Sequence, residues 1–396
     1  MRFPGFTDEW KTYSLSNFFD FKNGLNPEAK RFGQGIKFIS VSDILNNDYI
    51  DYECIIASVT PSKKELEEFG VHRGDILFQR SSETLEDVGR ANVYIDDRIA
   101  LFGGFVIRGK KKSEYEPYFM RYALSAPLNR KKIIVKGAGA QHFNIGQAGL
   151  SKVLMNIPDT AEQTRISRLL CLIDKRINTQ NKIIDNLQSL IKGLNDSFHD
   201  NINGDDISLD EIGSPYLGLS GKSGEDFGQG SPYITYLNVY QNIIVDEKQI
   251  DLVSVSPNEK QNTVSYGDIL FTLSSETPEE TGIGCVYLGQ SGKYYLNSFC
   301  FGVTITHPNK VYPPYLAYLV SSAKFRKFVY PLAQGSTRFN LHKNDFMRKK
   351  FKLLPLERQK EVTLTLDALS NRLALEYKLI ELFKTQKNYL LRHLFI

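Results

Sequence analysis

The chain has 396 residues, of which 41% are hydrophobic and 12% aromatic, with a net charge of +4. This supports two or three packed domains and excludes a mostly disordered chain. The longest apolar runs, such as LLCLI at 169–173, are too short for a membrane span, and MRFPGFTDEW lacks the core of a secretory signal, so a cytoplasmic protein is expected.

In chain order, FGQG (32–35) is followed by VHRGDILF (71–78), a glycine-bounded aliphatic run that predicts a strand, and then by SSET (81–84). NVY (92–94) predicts another strand, EPYFMRYAL (116–124) a helix opened by proline, and HFNI (142–145) closes the series. The series then returns as FGQG (227–230), VSYGDILF (264–271), SSET (274–277), CVY (285–287), PPYLAYLVS (313–321) and RFNL (338–341), at offsets of 193 to 197. Such order over half the chain marks a fused duplication. The expected fold class is α/β (α+β), with two tandem mixed globules.

Each copy ends in a heptad-patterned segment. Ile166, Leu170, Ile173, Ile177, Gln180, Ile184, Leu187, Ile191, Leu194 and Phe198 step by fours and threes without a slip. The second seam, Val362, Leu366, Leu369, Leu373, Glu376, Ile380, Phe383, Lys387, Leu390 and Leu394, lies 196 residues on at every position. Some 33 residues make a rod of roughly 50 Å. The two rods are expected to pair as an antiparallel coiled coil holding the globules apart, rather than each packing on its own globule. Gln180 and Glu376 either fix the register or mark a solvated break. Thr160-Ala161-Glu162-Gln163 fits a capping box, a feature that Leu356 denies the second copy. Asn203-Gly204 marks the turn into the second half. The expected domains are 1–157 and 204–354, each followed by a spacer helix at 158–203 and 355–396.

Charge is uneven. Between Arg98 and Lys152 stand Arg108, Lys110, Lys111, Lys112, Arg121, Arg130, Lys131, Lys132 and Lys136, opposed by Glu114 and Glu116. Lys293, Lys310, Lys324, Arg326, Lys327, Arg338, Lys343, Arg348, Lys349, Lys350 and Lys352 face Asp345 in the second copy. Such clustering suits phosphate contacts, beyond the lysines that merely favour helix C-termini. Double-stranded DNA is therefore the expected partner.

The loops GAGAQHFNI (137–145) and AQGSTRFNL (333–341) carry small residues that admit a close duplex. Gln141, Asn144, Arg338 and Asn340 have side chains able to pair with base edges. Phe143 and Phe339 read more simply as core plugs, and Asn144 and Asn340 as turn caps. Gln141, His142, Thr337 and Arg338 differ between the copies and are the stronger readers. Gln34, Arg80, Ser81, Lys136, Gln229, Ser274, Gln334 and Ser336 complete the candidate DNA-binding set.

Catalytic patterns fail in detail. Tyr312-Pro313-Pro314-Tyr315 lacks the polar first residue of a methyltransferase's target-amine element and reads as a helix start. Gly221-Lys222-Ser223 has P-loop form, but the required first glycine falls at Tyr216. Pro158-Asp159 begins like a nuclease motif with no (D/E)xK after it. Asp75 and Asp268 read as strand-entry turns. Cys54, Cys171, Cys285 and Cys300 form no CxxC pair and read as thiols of a reducing compartment, with no metal site. The chain is not expected to be an enzyme on its own.

The opening RFPGFTDEW (2–10), the paired GDILF strands, the FNI and FNL loops and IPDTAEQTRISRLLCLIDKRI (157–177) together resemble the specificity subunits of type I restriction-modification systems. The resemblance covers nearly the whole chain. It implies two target-recognition domains, each reading one half of a split DNA site, and a helical spacer that sets the unread gap. It further implies docking of modification subunits, two in number, and of restriction subunits, which carry S-adenosylmethionine, ATP and Mg chemistry while this chain binds no cofactor. Members often carry arginine shortly after GDIL; Arg80 fits, whereas Leu273 holds that place in the second copy. The alternatives are a self-sufficient DNA methyltransferase or nuclease, and a coiled-coil scaffold whose basic faces meet an acidic protein or RNA.

Overall fold

The glycine-aspartate pair of each GDILF run makes a turn that launches a central strand. Gly74 and Gly267 have φ of +92° and +89°, a region that residues with a Cβ avoid. Asp75 then accepts hydrogen bonds from the Lys111 and His72 N–H groups at 2.9 and 3.0 Å. Asp268 accepts from the Ser265 N–H at 2.9 Å and the Tyr216 hydroxyl at 2.7 Å. Burial raises the pKa of both carboxyls. The two groups are thus structural.

The computed structural model of the protein describes residues 3, 5–200, 203–290 and 292–395, so Arg2 and Pro4 of the opening motif lie outside the described residues. The chain forms two compact units, 1–182 with 378–396, and 183–377. In chain order the first half carries β1 (Lys11–Ser14), β2 (Phe19–Asn23), β3 (Phe32–Ile39), α1 (Val41–Asn46), β4 (Ser58–Val59), α2 (Lys63–Phe69), β5 (Ile76–Gln79) and β6 (Ser81–Ser82). There follow β7 (Ala91–Val93), β8 (Leu101–Phe102), β9 (Val106–Lys111), α3 (Pro117–Ser125), α4 (Pro127–Ile134), β10 (Phe143–Asn144), α5 (Gln147–Ser151), β11 (Leu154–Ile157) and α6 (Thr160–Asp200).

The second half carries β12 (Asp205–Ile207), β13 (Gly213–Leu217), β14 (Phe227–Ile234), α7 (Tyr236–Gln241), β15 (Ile250–Val253), β16 (Ile269–Thr272), β17 (Ser274–Ser275) and β18 (Gly284–Val286). It ends with β19 (Tyr295–Leu296), β20 (Cys300–Ile305), α8 (Pro313–Ser321), α9 (Ala323–Val329), β21 (Ala333–Gln334), β22 (Phe339–Leu341), α10 (Lys343–Arg348), β23 (Phe351–Leu353) and α11 (Leu356–His393).

Both units build the same sheets. A four-stranded sheet runs β2-β9-β5-β7 in the first and β13-β20-β16-β18 in the second. Beside it lies a three-stranded sheet, β4-β3-β8 or β15-β14-β19, whose middle strand is antiparallel to one neighbour and parallel to the other. The GDILF strands β5 and β16 are buried on both faces, which is why they read as continuous apolar runs without alternation. Phe78 and Phe271 are fully buried there, each contributing roughly 1.5–3 kcal/mol.

The helices depart from expectation in three ways. They are longer than the seams of about 33 residues, with 41 residues in α6 and 38 in α11, so α6 is roughly 60 Å long. The capping box is displaced: Thr160 is already helical, and the Asp159 carboxylate accepts from the Glu162 N–H at 2.9 Å. Gln163 instead donates to the Pro158 carbonyl at 3.0 Å and accepts from the Glu116 N–H at 2.9 Å. Gln359 repeats this in the other unit, donating to the Leu354 and Lys310 carbonyls at 2.7 and 3.0 Å and accepting from Tyr312 N–H at 2.8 Å. The feature shared by the copies is this buried glutamine, which ties each helix start to the loop ahead of α3 or α8.

The third departure concerns the seams. Packing on a globule and packing between helices coexist. In the first unit, Ile166 and Leu170 of α6 join Leu391 and Leu394 of α11 within the globule's core. Asp174 takes the Tyr122 hydroxyl and the Lys387 ammonium, both at 2.5 Å, and Arg176 lies over Phe383, an antiparallel register. In the second unit, Val362 and Leu366 enter the core, with Ile191, Leu194 and Phe198 packed against it. The Tyr377 hydroxyl accepts from Gln188 at 2.8 Å, and Arg358 lies over Phe198, again antiparallel. Ile173, Ile184 and Ile380 are buried, as are Gln180 and Glu376. Ile177, Leu187, Leu369, Leu373, Phe383 and Leu390 are half-buried.

Candidate nucleic-acid interface

The two opening loops become hairpins. In the first unit, Ala138 and Asn144 exchange backbone hydrogen bonds of 2.9 Å, while Phe143 and Asn144 pair with Ser82 and Ser81. In the second, Gln334 pairs with Asn340, and Asn340 and Phe339 pair with Ser274 and Ser275. Gly139 and Gly335 turn each tip at φ of +147° and +148°, where a Cβ would stand 2.0 Å from the carbonyl oxygen of His142 or Arg338. A glycine is therefore mandatory at this one loop position.

The tips hold Gln141 and His142 in one unit and Ser336, Thr337 and Arg338 in the other, all exposed. Phe143 and Phe339 are half-buried, as befits core plugs. Asn144 shares a hydrogen bond with the Ser81 hydroxyl and donates to the His142 carbonyl at 3.3 Å, so part of its capacity goes to the ribbon itself. Asn340 and Gln334 are exposed on the paired strands. Ser274 is only 5% exposed, and its carbonyl accepts the Tyr236 hydroxyl at 2.8 Å. It supports the ribbon from beneath instead of presenting its hydroxyl.

Arg80 and Leu273 tie the hairpin to a second loop. Arg80 donates its N–H to the Phe105 carbonyl at 2.9 Å and accepts from the Ile145 N–H at 3.0 Å. Leu273 does the same with Phe299 and Leu341, both at 2.8 Å. The common role at this position is thus played by the backbone, which explains why an arginine and a leucine both serve. The Arg80 side chain donates to the Gly104 carbonyl at 3.3 Å. Gln34 and Gln229 sit exposed on bulges of β3 and β14, their carbonyls accepting from Thr60 at 3.3 Å and Ser254 at 3.4 Å.

The basic stretches prove less available than their sequence suggests. Arg130 donates to the Glu86, Val88 and Gly89 carbonyls, each at 2.8 Å, and Arg326 to those of Glu279, Thr281 and Gly282 at 2.8, 2.7 and 2.5 Å. Burial lowers the pKa of each to about 10. These guanidiniums fasten α4 and α9 to the segment after SSET. Arg108 is buried against the Gly70 carbonyl, Arg98 pairs with Asp96 and Glu53, and Arg121 with Asp174. Lys111, Lys112, Lys350 and Lys352 face Glu114, Asp20, Glu211 and Asp206. By contrast Lys131, Lys132 and Lys136, ahead of the first hairpin in the chain, and Lys327 and Arg348, on the helices that flank the second, with Arg338 at its tip, form no ion pair among the described residues.

A sequence model of the "Type I restriction modification DNA specificity domain" matches residues 7–189 and again 218–384. The chain belongs to this family. The duplication is therefore two successive specificity domains, set in tandem α/β units with long helices. A curated relative, the type I restriction enzyme MjaX specificity subunit of Methanocaldococcus jannaschii, is 25% identical over 192 residues, spanning 47% of this chain and 44% of that relative's length. Among solved structures, the type I restriction-modification S subunit from M. genitalium is similar over 98% of this chain and 96% of its own, with 15% identity and a TM-score of 0.53. The HsdS subunit from Thermoanaerobacter tengcongensis gives 13% identity and a TM-score of 0.52 over 97% and 95%. A structure described as bearing on complex assembly and conformational transition of the type I R-M system gives 12% and 0.63 over 97% of both chains. At these identities the likeness establishes the fold.

Sequence reasoning passed over Phe105 and Phe299. Each is the third residue of a turn, Gly103–Val106 and Asn297–Cys300, closed by 2.8 and 3.0 Å hydrogen bonds. The two residues are 68% and 54% exposed. The signal was present: GGFV and NSFC share only the phenylalanine.

Proposed function

We propose that this chain is the non-catalytic DNA-recognition subunit of a type I restriction-modification complex. Each unit reads one half of a split site through its hairpin tip, and the α6–α11 helices set the unread gap. Modification subunits, two in number, and restriction subunits dock on the chain and supply S-adenosylmethionine, ATP and Mg chemistry. The observation that carries this reading is the pair of hairpins, alike in backbone and unlike at Gln141-His142 against Thr337-Arg338. A shared backbone gives both units one approach to the duplex, and unlike tips give each its own sequence. The domains proposed are 1–157 and 204–354, with spacers at 158–203 and 355–396.

The test is a methylome of cells co-expressing this chain and its methyltransferase subunit. A split motif of modified adenines that requires this chain is expected. Exchange of residues 206–350 for a relative's should change one half-site alone, and a whole-heptad insertion near residue 185 should change the gap alone. Modified adenines in the absence of the methyltransferase subunit, or a change in both half-sites on exchange, overturns the reading.

A further inference from the structure

Most large apolar side chains of the two sheets are buried, yet Phe105 and Phe299 are turned outward at the same turn in both units. The turns share no other side chain, so the ring is what the duplication holds in common. Each ring stands one hydrogen-bonded segment away from the hairpin, across Arg80 or Leu273. In the second unit the Arg338 guanidinium, from the hairpin tip itself, lies 5.7 Å from the Phe299 ring centre.

The surroundings also differ at the cleft. Beside Phe105 opens a cleft of about 490 Å³, walled by Phe32, Phe38, Val41 and Ser81. In the second unit Tyr236 holds the place of Val41, and its hydroxyl bridges to the Ser274 carbonyl at 2.8 Å, across the corresponding space.

We propose, on the basis of the specificity reading above, that Phe105 and Phe299 enter the base stack of the two half-sites as aromatic wedges. An apolar ring driven between base steps partly unstacks them, and a ring against a base face is an interaction that tolerates any sequence. A sequence-tolerant contact belongs at a position shared by both units, whereas readers belong at the tips that differ. The cleft beside Phe105 leaves room for a displaced base, while in the second unit Arg338 lies over Phe299.

The test uses the methyltransferase complex containing this chain and a duplex bearing the split site found by methylome, with binding measured across a salt series. F105A and F299A are each expected to weaken binding roughly tenfold without changing the slope of log Kd against log salt, because no phosphate contact is lost. F105W and F299W should bind as the wild type does. Exposed rings make these substitutions harmless to folding, which thermal unfolding verifies. Alanine variants that bind within twofold of wild type, or a loss accompanied by a shallower salt slope, overturn the wedge. Failure of the wild-type complex to prefer the split duplex overturns the specificity reading itself, and the wedge with it.

Discussion

Replacing Gln359 by glutamate tests whether a single buried amide holds α11 to the second unit. The Gln359 side chain is inaccessible and makes three hydrogen bonds, to the Leu354 carbonyl at 2.7 Å, the Lys310 carbonyl at 3.0 Å and from the Tyr312 N–H at 2.8 Å. Glutamate keeps the shape and the acceptor for Tyr312, but sets an oxygen against two carbonyl oxygens. Each buried hydrogen bond lost with its partner left unsatisfied costs about 1–3 kcal/mol, so Q359E should cost about 3–5 kcal/mol. Burial raises the new carboxyl's pKa, and the protonated form restores one of the two bonds. The deficit should therefore be smaller near pH 5 and grow as pH rises. The equivalent Q163E loses one donor bond, to the Pro158 carbonyl, and should cost about half as much. Urea unfolding at two pH values measures both, with an unchanged m-value certifying a native-state effect. A Q359E cost below about 1 kcal/mol, or equal costs for Q359E and Q163E, would refute the reasoning.

Three further outcomes are expected. R326M leaves the Glu279, Thr281 and Gly282 carbonyls without their donor and should destabilise the second unit by about 3 kcal/mol or more in urea, an effect larger than lost DNA affinity alone predicts. G335A sets a Cβ 2.0 Å from the Arg338 carbonyl oxygen; it should disorder the tip and abolish recognition of one half-site in the methylome while the melting temperature of the chain changes little. At alkaline pH, burial, joined by the Asp174 charge at Tyr122 and by the Asp367 hydrogen bond at Tyr318, raises both phenol pKa values. The stability they lend is full below pH 10, the unfolded value, and falls as pH rises beyond it. Phenolate absorbance of these residues should appear only together with unfolding, and early reversible ionisation of all tyrosines would contradict it.

The duplication, the strands, the proline-opened helices and both heptad seams are legible in the sequence because each rests on local chemistry. A strand buried on both faces needs an unbroken aliphatic run such as ILF, and a helix seam needs its apolar period. The partners of long polar side chains are not legible in this way. Gln163 reads as half of a capping box, yet its amide bonds Pro158 and Glu116. Arg130 and Arg326 read as cations favouring a helix C-terminus within a basic stretch, yet each meets three carbonyls. Such groups reach several ångströms from their own backbone, and what they meet depends on segments more than 40 residues away. Exposure is decided in the same manner. Ser81 and Ser274 share the tetrapeptide SSET, but one borders an open cleft and the other lies beneath Tyr236. The sequence by itself determined that two like units follow one another, because repetition and period are properties of the chain. Only the tertiary structure decided which arginines are struts and which rings face outward, because those depend on the neighbours that folding supplies.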